Sequence, residues 1–359
     1  MIFATPPIEG YLRQSLDELD ELRAALSGQA SQSRRWMGSL RRSLRARSIE
    51  SSTSIEGYSV DPDEALALVN GDLATESGDE NRMALACYAR AMDHVGALAA
   101  DPAFRWLDRV ILDLHFDACY FQPEKEPGRW REGPIGVTAA DGSLEFEGPD
   151  AAAVPGLMAE VVEWLQEGDL DAPVVVRAAM AHLHLTSVHP FRDGNGRVSR
   201  IVQSLVLARD GLVSPEFASI EEYLGEHTPA YYAALHEVQA GGYNPERDAT
   251  GWVAFCVQAH IIQAERRLEQ IEEAAARWQR LEQLVEASGW PDRLVIALEQ
   301  SLIGGTDRGR YGSEAEVSQA TASGDFRRLL DAGLVEQEGR GRSTRYRASE
   351  NLRAELPDD

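Results

Sequence analysis

Lysine is almost absent from this chain. Lys125 is the only one, so arginine carries nearly all of the positive charge. Acidic residues outnumber basic ones, 59 against 35, and the formal net charge is −24 at pH 7. A surface with this charge opposes non-specific binding to nucleic acid or to anionic lipid, although it leaves room for a local basic patch. The charge balance by itself indicates no activity.

Cysteine is scarce as well, and long hydrophobic runs are missing. Cys87, Cys119 and Cys256 stand far apart, in a spacing that suits neither a disulfide framework nor a metal site, so we expect buried, reduced thiols. The apolar runs are far shorter than the ~20 residues that a membrane helix needs, and Met1 begins no secretory signal pattern. We therefore expect a cytoplasmic protein without a membrane segment.

The residues that are present predict a mainly α-helical fold. With 359 residues, 43% of them hydrophobic, the chain is long enough for a large core and for two domains. One segment departs from the helical pattern: residues 133–149 contain two short extended runs around "ADGS", which predicts a β-hairpin. Apolar residues recur at the three- and four-residue intervals of a helix in residues 11–26, 80–99, 106–120, 152–166, 173–186, 196–209 and 251–287.

The pattern changes after Gly289-Trp290-Pro291. A helix over residues 292–305 is followed by a second helical segment, a turn at Gly333 and two strands around an arginine-rich hairpin. That order is typical of a winged helix-turn-helix domain. We therefore predict a first domain over residues 1–288 and a small winged-helix domain over residues 289–359.

The stretch "HPFRDGNGRVSR", residues 189–200, carries the densest group of chemically active side chains. Pro190 ends the preceding helix, and "DGNGR" begins the next one. Backbone N–H groups at a helix start bind anions, and Gly194 and Gly196 allow phosphate oxygens to approach them closely. A simple helix cap would need only part of this string, so we favour an anion-binding loop.

The side chains of the same stretch suit phosphoryl or nucleotidyl transfer. Arg197 and Arg200 project from one face of the first helical turn, where two guanidinium groups can hold a polyphosphate. Asp193 beside them is a candidate ligand for Mg²⁺, which takes few protein ligands. His189, with an ordinary pKa of ~6.5, can accept a proton from an attacking hydroxyl.

This stretch resembles the motif of the Fic family, His-x-Phe-x-(Asp/Glu)-Gly-Asn-Gly-Arg-x-x-Arg, at every fixed position, and the resemblance extends over about residues 8–264. It implies a helical fold that transfers AMP from ATP to a Tyr, Thr or Ser hydroxyl of a target protein. The hairpin would be the flap that aligns the target, near residues 133–146. Carried over by position, the resemblance implies a general base at His189, a Mg²⁺ ligand at Asp193, an inward-packed Phe191, and nucleotide binding by Gly194, Asn195, Gly196, Arg197 and Arg200.

A second stretch, "SSTSIEG" at residues 51–57, resembles the inhibitory helix of the family, (Ser/Thr)-x-x-x-Glu-(Gly/Asn). Ser52, Glu56 and Gly57 match its fixed positions. An arginine meant for a γ-phosphate lacks a partner when the site is empty, and the resemblance implies that Glu56 pairs with Arg200 and blocks productive ATP binding. The alternative is a plain helix end at Gly57. The resemblance also leaves open that Glu56 serves AMP removal.

Several alternatives stay open. Thr186 and Ser199 depart from residues frequent in the family, and a Fic-type phosphotransferase is a second candidate. The C-terminal segment resembles the winged helices that follow Fic domains in bacterial proteins, with Arg327 and Arg328 on the predicted recognition helix. The chain is then either an enzyme whose winged helix binds protein or supports a homodimer, or a DNA-binding regulator with a nucleotide-sensing domain.

Overall fold

The structure, a computed structural model, describes residues 1–32, 34–71, 78–138, 142, 144–339 and 344–356. It divides into two compact units. Unit 1 comprises Met1–Ala30 and Arg45–Arg267, and unit 2 comprises Ser31–Leu44 and Leu268–Asp359. The predicted domain boundary near residue 288 coincides with the end of a long helix, and it stays a prediction.

The elements of unit 1 are mostly helices. In chain order they are α1 (Gly10–Ala30), α2 (Met37–Ser54), α3 (Pro62–Val69), α4 (Glu80–Ala100), α5 (Asp108–Cys119), β1 (Gly136–Thr138), β2 (Leu144–Glu147), α6 (Val154–Glu167), α7 (Val174–Val188), α8 (Asn195–Asp210), α9 (Pro215–Ala218), α10 (Glu221–Glu226), α11 (Thr228–Gln239) and α12 (Thr250–Ala287). Helices α2 and α12 each have residues in both units.

Unit 2 contains three helices, then a pair of strands and a last short helix, in addition to its parts of α2 and α12. Its further elements are α13 (Leu294–Leu302), α14 (Arg308–Glu314), α15 (Gln319–Asp331), β3 (Val335–Glu338), β4 (Arg345–Ala348) and α16 (Glu350–Glu355). Strands β3 and β4 are antiparallel, with Val335 opposite Ala348. The predicted wing tip, residues 340–343, lies outside the described residues. The winged-helix assignment of this unit therefore stays our proposal.

Helices α7 and α8 form the centre of unit 1. They pack against each other, and α4 and α5 pack against α8. Eleven consecutive residues of each helix are buried, 178–188 in α7 and 197–207 in α8, as expected for helices that are surrounded by other elements. Because α7 ends at Val188 and α8 begins at Asn195, the loop between them is held by two buried helices.

The hairpin predicted near residues 133–149 is present. Strands β1 and β2 pair antiparallel, with Val137 opposite Phe146. Phe146 is buried, whereas Leu144 and Val137 are exposed. The predicted "ADGS" turn falls on residues 140–143, of which 140, 141 and 143 lie outside the described residues. The predicted fold class, mainly α with a small hairpin, is confirmed.

All three cysteines are buried free thiols, in agreement with the sequence. Within the described ranges, no helix is both long and apolar enough to cross a membrane.

Candidate active site

The loop between α7 and α8 forms one wall of a cavity of about 570 Å³. His189 ends α7 in the left-handed region, with φ of 49°, and Gly194 precedes α8 with φ of 76°. The first backbone N–H groups of a helix have no partner within the helix. Gly194, Asn195 and Gly196 line the cavity. The Gly194 N–H donates to the Asp193 carboxylate, so the N–H groups of Asn195 and Gly196 are the candidate donors to an anion there.

Side-chain contacts hold this loop in shape. The Phe191 ring is fully buried and stacks on His115 of α5 at 3.6 Å between ring centroids. The Asn195 amide accepts from the Phe191 backbone N–H and donates to the Phe191 carbonyl, both at 2.9 Å. The Asn195 side chain therefore fixes the loop, and only its backbone faces the cavity as a candidate anion donor.

His115 of α5 also contacts the loop, and the hydrogen bonds of its two ring nitrogens define its tautomer. The Gly128 N–H donates to its Nδ1 at 2.9 Å, so Nε2 carries the proton and donates to the Asp193 carbonyl at 3.0 Å. Burial lowers the pKa of His115 to about 4, which keeps the ring neutral and both hydrogen bonds in place near neutral pH.

His189 presents an unprotonated nitrogen to the cavity. Its Nδ1 lies 3.1 Å from the Thr186 carbonyl, an acceptor, so Nδ1 carries the proton and Nε2 is left with a free lone pair. Burial lowers the pKa of His189 to about 4. The imidazole is therefore a neutral proton acceptor at physiological pH.

Arg197 and Arg200 are both buried, and both have donors without a partner. Among the described residues, no hydrogen-bond acceptor reaches Arg197 Nε and Nη1 or Arg200 Nη1. The Arg197 guanidinium lies over the rings of both Tyr58 and Phe121, 5.5 and 5.6 Å from their centroids. Buried guanidinium donors without an acceptor are expensive unless a ligand satisfies them, and phosphate oxygens would do so.

The upstream stretch, residues 51–57, contacts Arg200. Arg200 Nη2 donates to Glu56 Oε1 at 2.8 Å and to the Ser52 carbonyl at 2.9 Å, and Nε donates to Ser52 Oγ at 2.7 Å. Burial opposes the charge on Arg200, but the Glu56 carboxylate outweighs it and raises the pKa of Arg200 above its ordinary value. Gly57 follows with φ of 87° and ends the turn.

The two glycines of the loop have no room for a side chain. A Cβ on Gly194 would collide with Cys119 Sγ, and a Cβ on Gly196 would collide with Glu56 Oε1 and lie 3.1 Å from Arg200 Nη1. The Glu56 carboxylate therefore lies against Gly196 at the cavity wall, close to Arg200 Nη1.

Asp193 provides one carboxylate at the cavity wall. Its Oδ1 accepts from the Gly194 N–H at 2.6 Å and lies 3.5 Å from Arg197 Nη2. The described part of the chain has no group of three or more metal-binding side chains. A Mg²⁺ ion at this site would therefore depend on Asp193 together with the phosphates of its substrate, which is a common arrangement for this ion.

The hairpin and α11 form the opposite walls. Val137 and Phe146 of the hairpin line the cavity, as do Tyr231 and Tyr232 of α11. Tyr231 is buried, with its hydroxyl 2.9 Å from His182 Nε2, while Tyr232 is about half exposed, at 47%. An apolar and aromatic wall opposite an anion-binding loop suits a nucleotide base.

Sequence reasoning missed three groups that shape the site: His115, Tyr58 and Arg131. Tyr58 directly follows the upstream stretch, residues 51–57, and Arg131 lies in the segment "GRWREGP" ahead of the hairpin. Their partners lie far away in the sequence, so no local pattern reveals them.

The site thus combines a buried helix pair, a glycine-containing loop between the two helices, and a hairpin that lines the same cavity. Residues 106–207 match the family model of the Fic/DOC family. The chain therefore contains a Fic/DOC domain.

Relatives and solved structures agree with this assignment. Over 161 residues the chain is 37% identical to protein adenylyltransferase fic-1 of Caenorhabditis elegans, covering 43% of this chain and 30% of that protein. Over 242 residues it is 27% identical to protein adenylyltransferase Fic of Aedes aegypti, covering 66% of this chain and 46% of that protein. The chain thus spans less than half the length of these relatives.

A crystal structure of a Fic family protein from Desulfovibrio desulfuricans G20 matches with a TM-score of 0.61 at 20% identity. The match covers 96% of this chain and 98% of that chain. It establishes a shared fold.

Proposed function

We propose that this protein transfers AMP from ATP to a Tyr, Thr or Ser hydroxyl of a target protein. One observation carries the proposal: Arg197 and Arg200 have buried donors without an acceptor among the described residues, and their guanidinium groups lie directly beside Gly194 and Gly196, which line the same cavity as His189. The names of the relatives, protein adenylyltransferases, support the same reaction.

The proposed reaction assigns one task to each group. The target hydroxyl oxygen attacks the α-phosphorus of ATP and gives its proton to His189 Nε2. The new O–P bond forms as the bond from the α-phosphorus to the bridging oxygen breaks, and pyrophosphate leaves with that electron pair. The loop of Gly194, Asn195 and Gly196 holds the α-phosphate through the backbone N–H groups of Asn195 and Gly196, and Arg197 and Arg200 bind the outer phosphates. Asp193 would hold Mg²⁺, which neutralises phosphate charge when bound.

The same geometry supports autoinhibition by Glu56. While its carboxylate pairs with Arg200 and covers Gly196, ATP cannot place its γ-phosphate on that guanidinium. Removing the carboxylate opens the position. We also propose that Glu56 can orient a water for removal of AMP from a modified target, since it faces the cavity.

The hairpin is the proposed docking site for the target. Its side chains at Val137 and Leu144 are exposed, and Val137 lines the cavity. A two-stranded hairpin can accept a further strand by backbone hydrogen bonds.

Unit 2 has a different proposed role, as a winged helix that binds protein or supports a homodimer. Arg327 and Arg328 are exposed on α15, which favours the alternative of DNA binding. Against this, Arg347 of β4 pairs with Glu338 of β3 at 2.8 Å, so part of the basic wing is neutralised within the unit. DNA affinity of the full chain with a steep salt dependence would favour the regulator.

Intact-mass spectrometry tests the proposal. The wild-type chain, Glu56→Gly and His189→Ala are each incubated with Mg-ATP, alone and with a cell lysate. We expect mass gains of one adenylate group on the chain or on lysate proteins with Glu56→Gly, little with wild type and none with His189→Ala. No adenylate gain with Glu56→Gly would refute AMP transfer.

A further inference from the structure

Arg131 is a buried arginine, 3% exposed. It lies between the loop that joins α7 to α8 and the base of the hairpin. Its guanidinium donates to three backbone carbonyls. Nε reaches the His189 carbonyl at 2.8 Å, Nη1 the Gly133 carbonyl at 2.8 Å, and Nη2 the Pro149 carbonyl at 2.6 Å. The three acceptors belong to His189 itself and to the two ends of the hairpin segment.

Backbone hydrogen bonds also join Arg131 to the loop after His189 and join the two ends of the hairpin to each other. The Arg131 N–H donates to the Pro190 carbonyl at 2.9 Å, and the Gly148 N–H donates to the Ile135 carbonyl at 3.1 Å. A Cβ on Gly148 would overlap the Ile135 side chain and lie 3.2 Å from Arg131 Nη2. The glycine therefore leaves the space in which the two ends of the hairpin meet the guanidinium.

This arrangement is a costly way to stabilise a fold. Among the described residues, no carboxylate lies within ion-pair distance of Arg131, and all of its side-chain hydrogen bonds go to backbone carbonyls. The Asp150 carboxylate attracts the charge only from a distance. Burial lowers the pKa of Arg131. Replacing a buried charge by apolar groups is often neutral or stabilising, so the guanidinium indicates a role beyond stability.

The His189 backbone needs such a support. Its φ of 49° lies in the left-handed region, which costs a non-glycine residue about 1 kcal/mol or more. Its ring lies 5.6 Å from that of Phe146 in the hairpin. A hydrogen bond to the His189 carbonyl fixes this conformation, and the same guanidinium fixes the hairpin that faces the ring.

We propose that Arg131 is a positioning residue that sets the distance between the proton acceptor His189 and a target bound at the hairpin. The inference rests on the proposed AMP transfer. It predicts that Arg131 governs the rate of the chemical step and leaves ATP binding unchanged, because Arg131 contacts neither Arg197 nor Arg200 in the described structure.

The test uses the full chain with Glu56→Gly, which exposes the proposed activity. Adenylate incorporation into the chain itself is followed at saturating Mg-ATP, and the ATP dissociation constant is measured separately. With Arg131→Gln we expect the maximal rate to fall about 100-fold, as a displacement of reacting groups by ~1 Å does, with the ATP dissociation constant unchanged. Arg131→Lys keeps the charge and can reach one carbonyl, so it should recover part of the rate.

Arg209→Gln is the matched control. Arg209 Nη1 also donates to three carbonyls, those of Leu98, Ala99 and Asp101, but it does not line the cavity. It should leave the maximal rate unchanged.

The possible outcomes separate the claims. An unchanged rate in Arg131→Gln overturns the positioning role, as does a rate that falls only in proportion to the fraction of chains that bind ATP. If Arg131→Gln does not fold, Arg131→Lys decides: a lowered rate with normal ATP binding supports the role, and a normal rate overturns it. If the Glu56→Gly variant, with Arg131 intact, adds adenylate neither to itself nor to lysate proteins, the proposed function is refuted and this inference with it.

Discussion

Arg200 is a buried guanidinium whose oxygen partners come from the upstream stretch at Ser52 and Glu56. Three hydrogen bonds hold it, of which the one to Glu56 is also an ion pair, and one further donor, Nη1, is left without an acceptor among the described residues. A guanidinium in this state can exchange protein oxygens for phosphate oxygens with little reorganisation. In the proposed autoinhibition, the rate of AMP transfer therefore depends on how strongly Ser52 and Glu56 bind Arg200.

Ser52→Ala should raise AMP transfer several-fold, and less than Glu56→Gly does. The hydroxyl that accepts from Arg200 Nε is lost, while the Glu56 carboxylate still pairs with Nη2. Adenylate incorporation from labelled ATP measures the effect. Ser54→Ala is the matched control, because Ser54 Oγ donates only to the Ser51 carbonyl within its own helix turn. Equal incorporation by Ser52→Ala and wild type would show that Ser52 does not contribute to inhibition.

Glu56→Gly should also change stability in a ligand-dependent way. Removing one partner of a buried ion pair costs about 3 kcal/mol, because Arg200 is left uncompensated. Added Mg-ATP should recover much of this loss, since its phosphates replace the carboxylate. Urea unfolding with and without Mg-ATP measures both values. A loss of stability that Mg-ATP does not recover would contradict phosphate binding at Arg200.

At the scale of elements, the end of α2 determines where Glu56 lies. The Tyr58 N–H donates to the Thr53 carbonyl at 3.1 Å and the Gly57 N–H to the Ser54 carbonyl at 2.9 Å, with Gly57 in the left-handed region. This is the Schellman pattern of a helix end. Tyr58 then packs edge to face on Phe121, at 5.6 Å between centroids, and accepts from Gln122. The turn is thus fixed on both sides of Glu56.

Gly57→Ala should weaken inhibition through the backbone alone. No atom lies within 4 Å of a Cβ at this position, so the cost is the left-handed φ of 87°, about 1–2 kcal/mol. We expect lower stability and a measurable rise in adenylate incorporation. Gly96→Ala in α4 is the control: its Cβ also meets open space, but φ is not positive, and it should stabilise by roughly 0.5–1 kcal/mol without affecting incorporation. Unchanged incorporation by Gly57→Ala would mean that the turn does not position Glu56.

The elements also show what the sequence could and could not predict. The loop at His189, the hairpin and the turn at Gly57 depend on residues adjacent in sequence, so their patterns predicted them. The pairing of Glu56 with Arg200 was expected only by resemblance to a family. Arg131 and His115 could not be predicted, because each acts through backbone atoms that lie 58 and 78 residues away. Backbone acceptors carry no sequence signature.

At the scale of the whole molecule, unit 1 buries several histidines in the neutral form. Burial lowers their pKa values: to about 4 for His115 and His189, and to about 3 for His182, His184 and His260. The unfolded chain binds protons at about 6.5, so it takes up more protons than the folded chain between that pH and 4. Stability contributed by these neutral rings is complete above pH 6.5 and is lost as pH falls.

His184→Phe should reduce this acid sensitivity. His184 is buried beside Trp164, 4.7 Å between centroids, and neither ring nitrogen has a partner among the described residues. Phenylalanine keeps an aromatic contact and removes the titration. The free energy of unfolding from urea titrations should drop less between pH 7 and pH 5 in the variant, by roughly 1–2 kcal/mol. The comparison between the two chains cancels the effect of the acidic surface. Identical losses would exclude His184 as a source of acid sensitivity.

The central claim is that the cavity at His189 holds ATP so that its α-phosphorus reacts. The most direct measurement compares ATP labelled at the α-phosphate with ATP labelled at the γ-phosphate, using Glu56→Gly alone and with lysate proteins. We predict that protein acquires the α-label and not the γ-label, and that His189→Ala abolishes the incorporation. Incorporation of the γ-label would establish a phosphotransferase instead, and incorporation of neither label would contradict nucleotide transfer at this site.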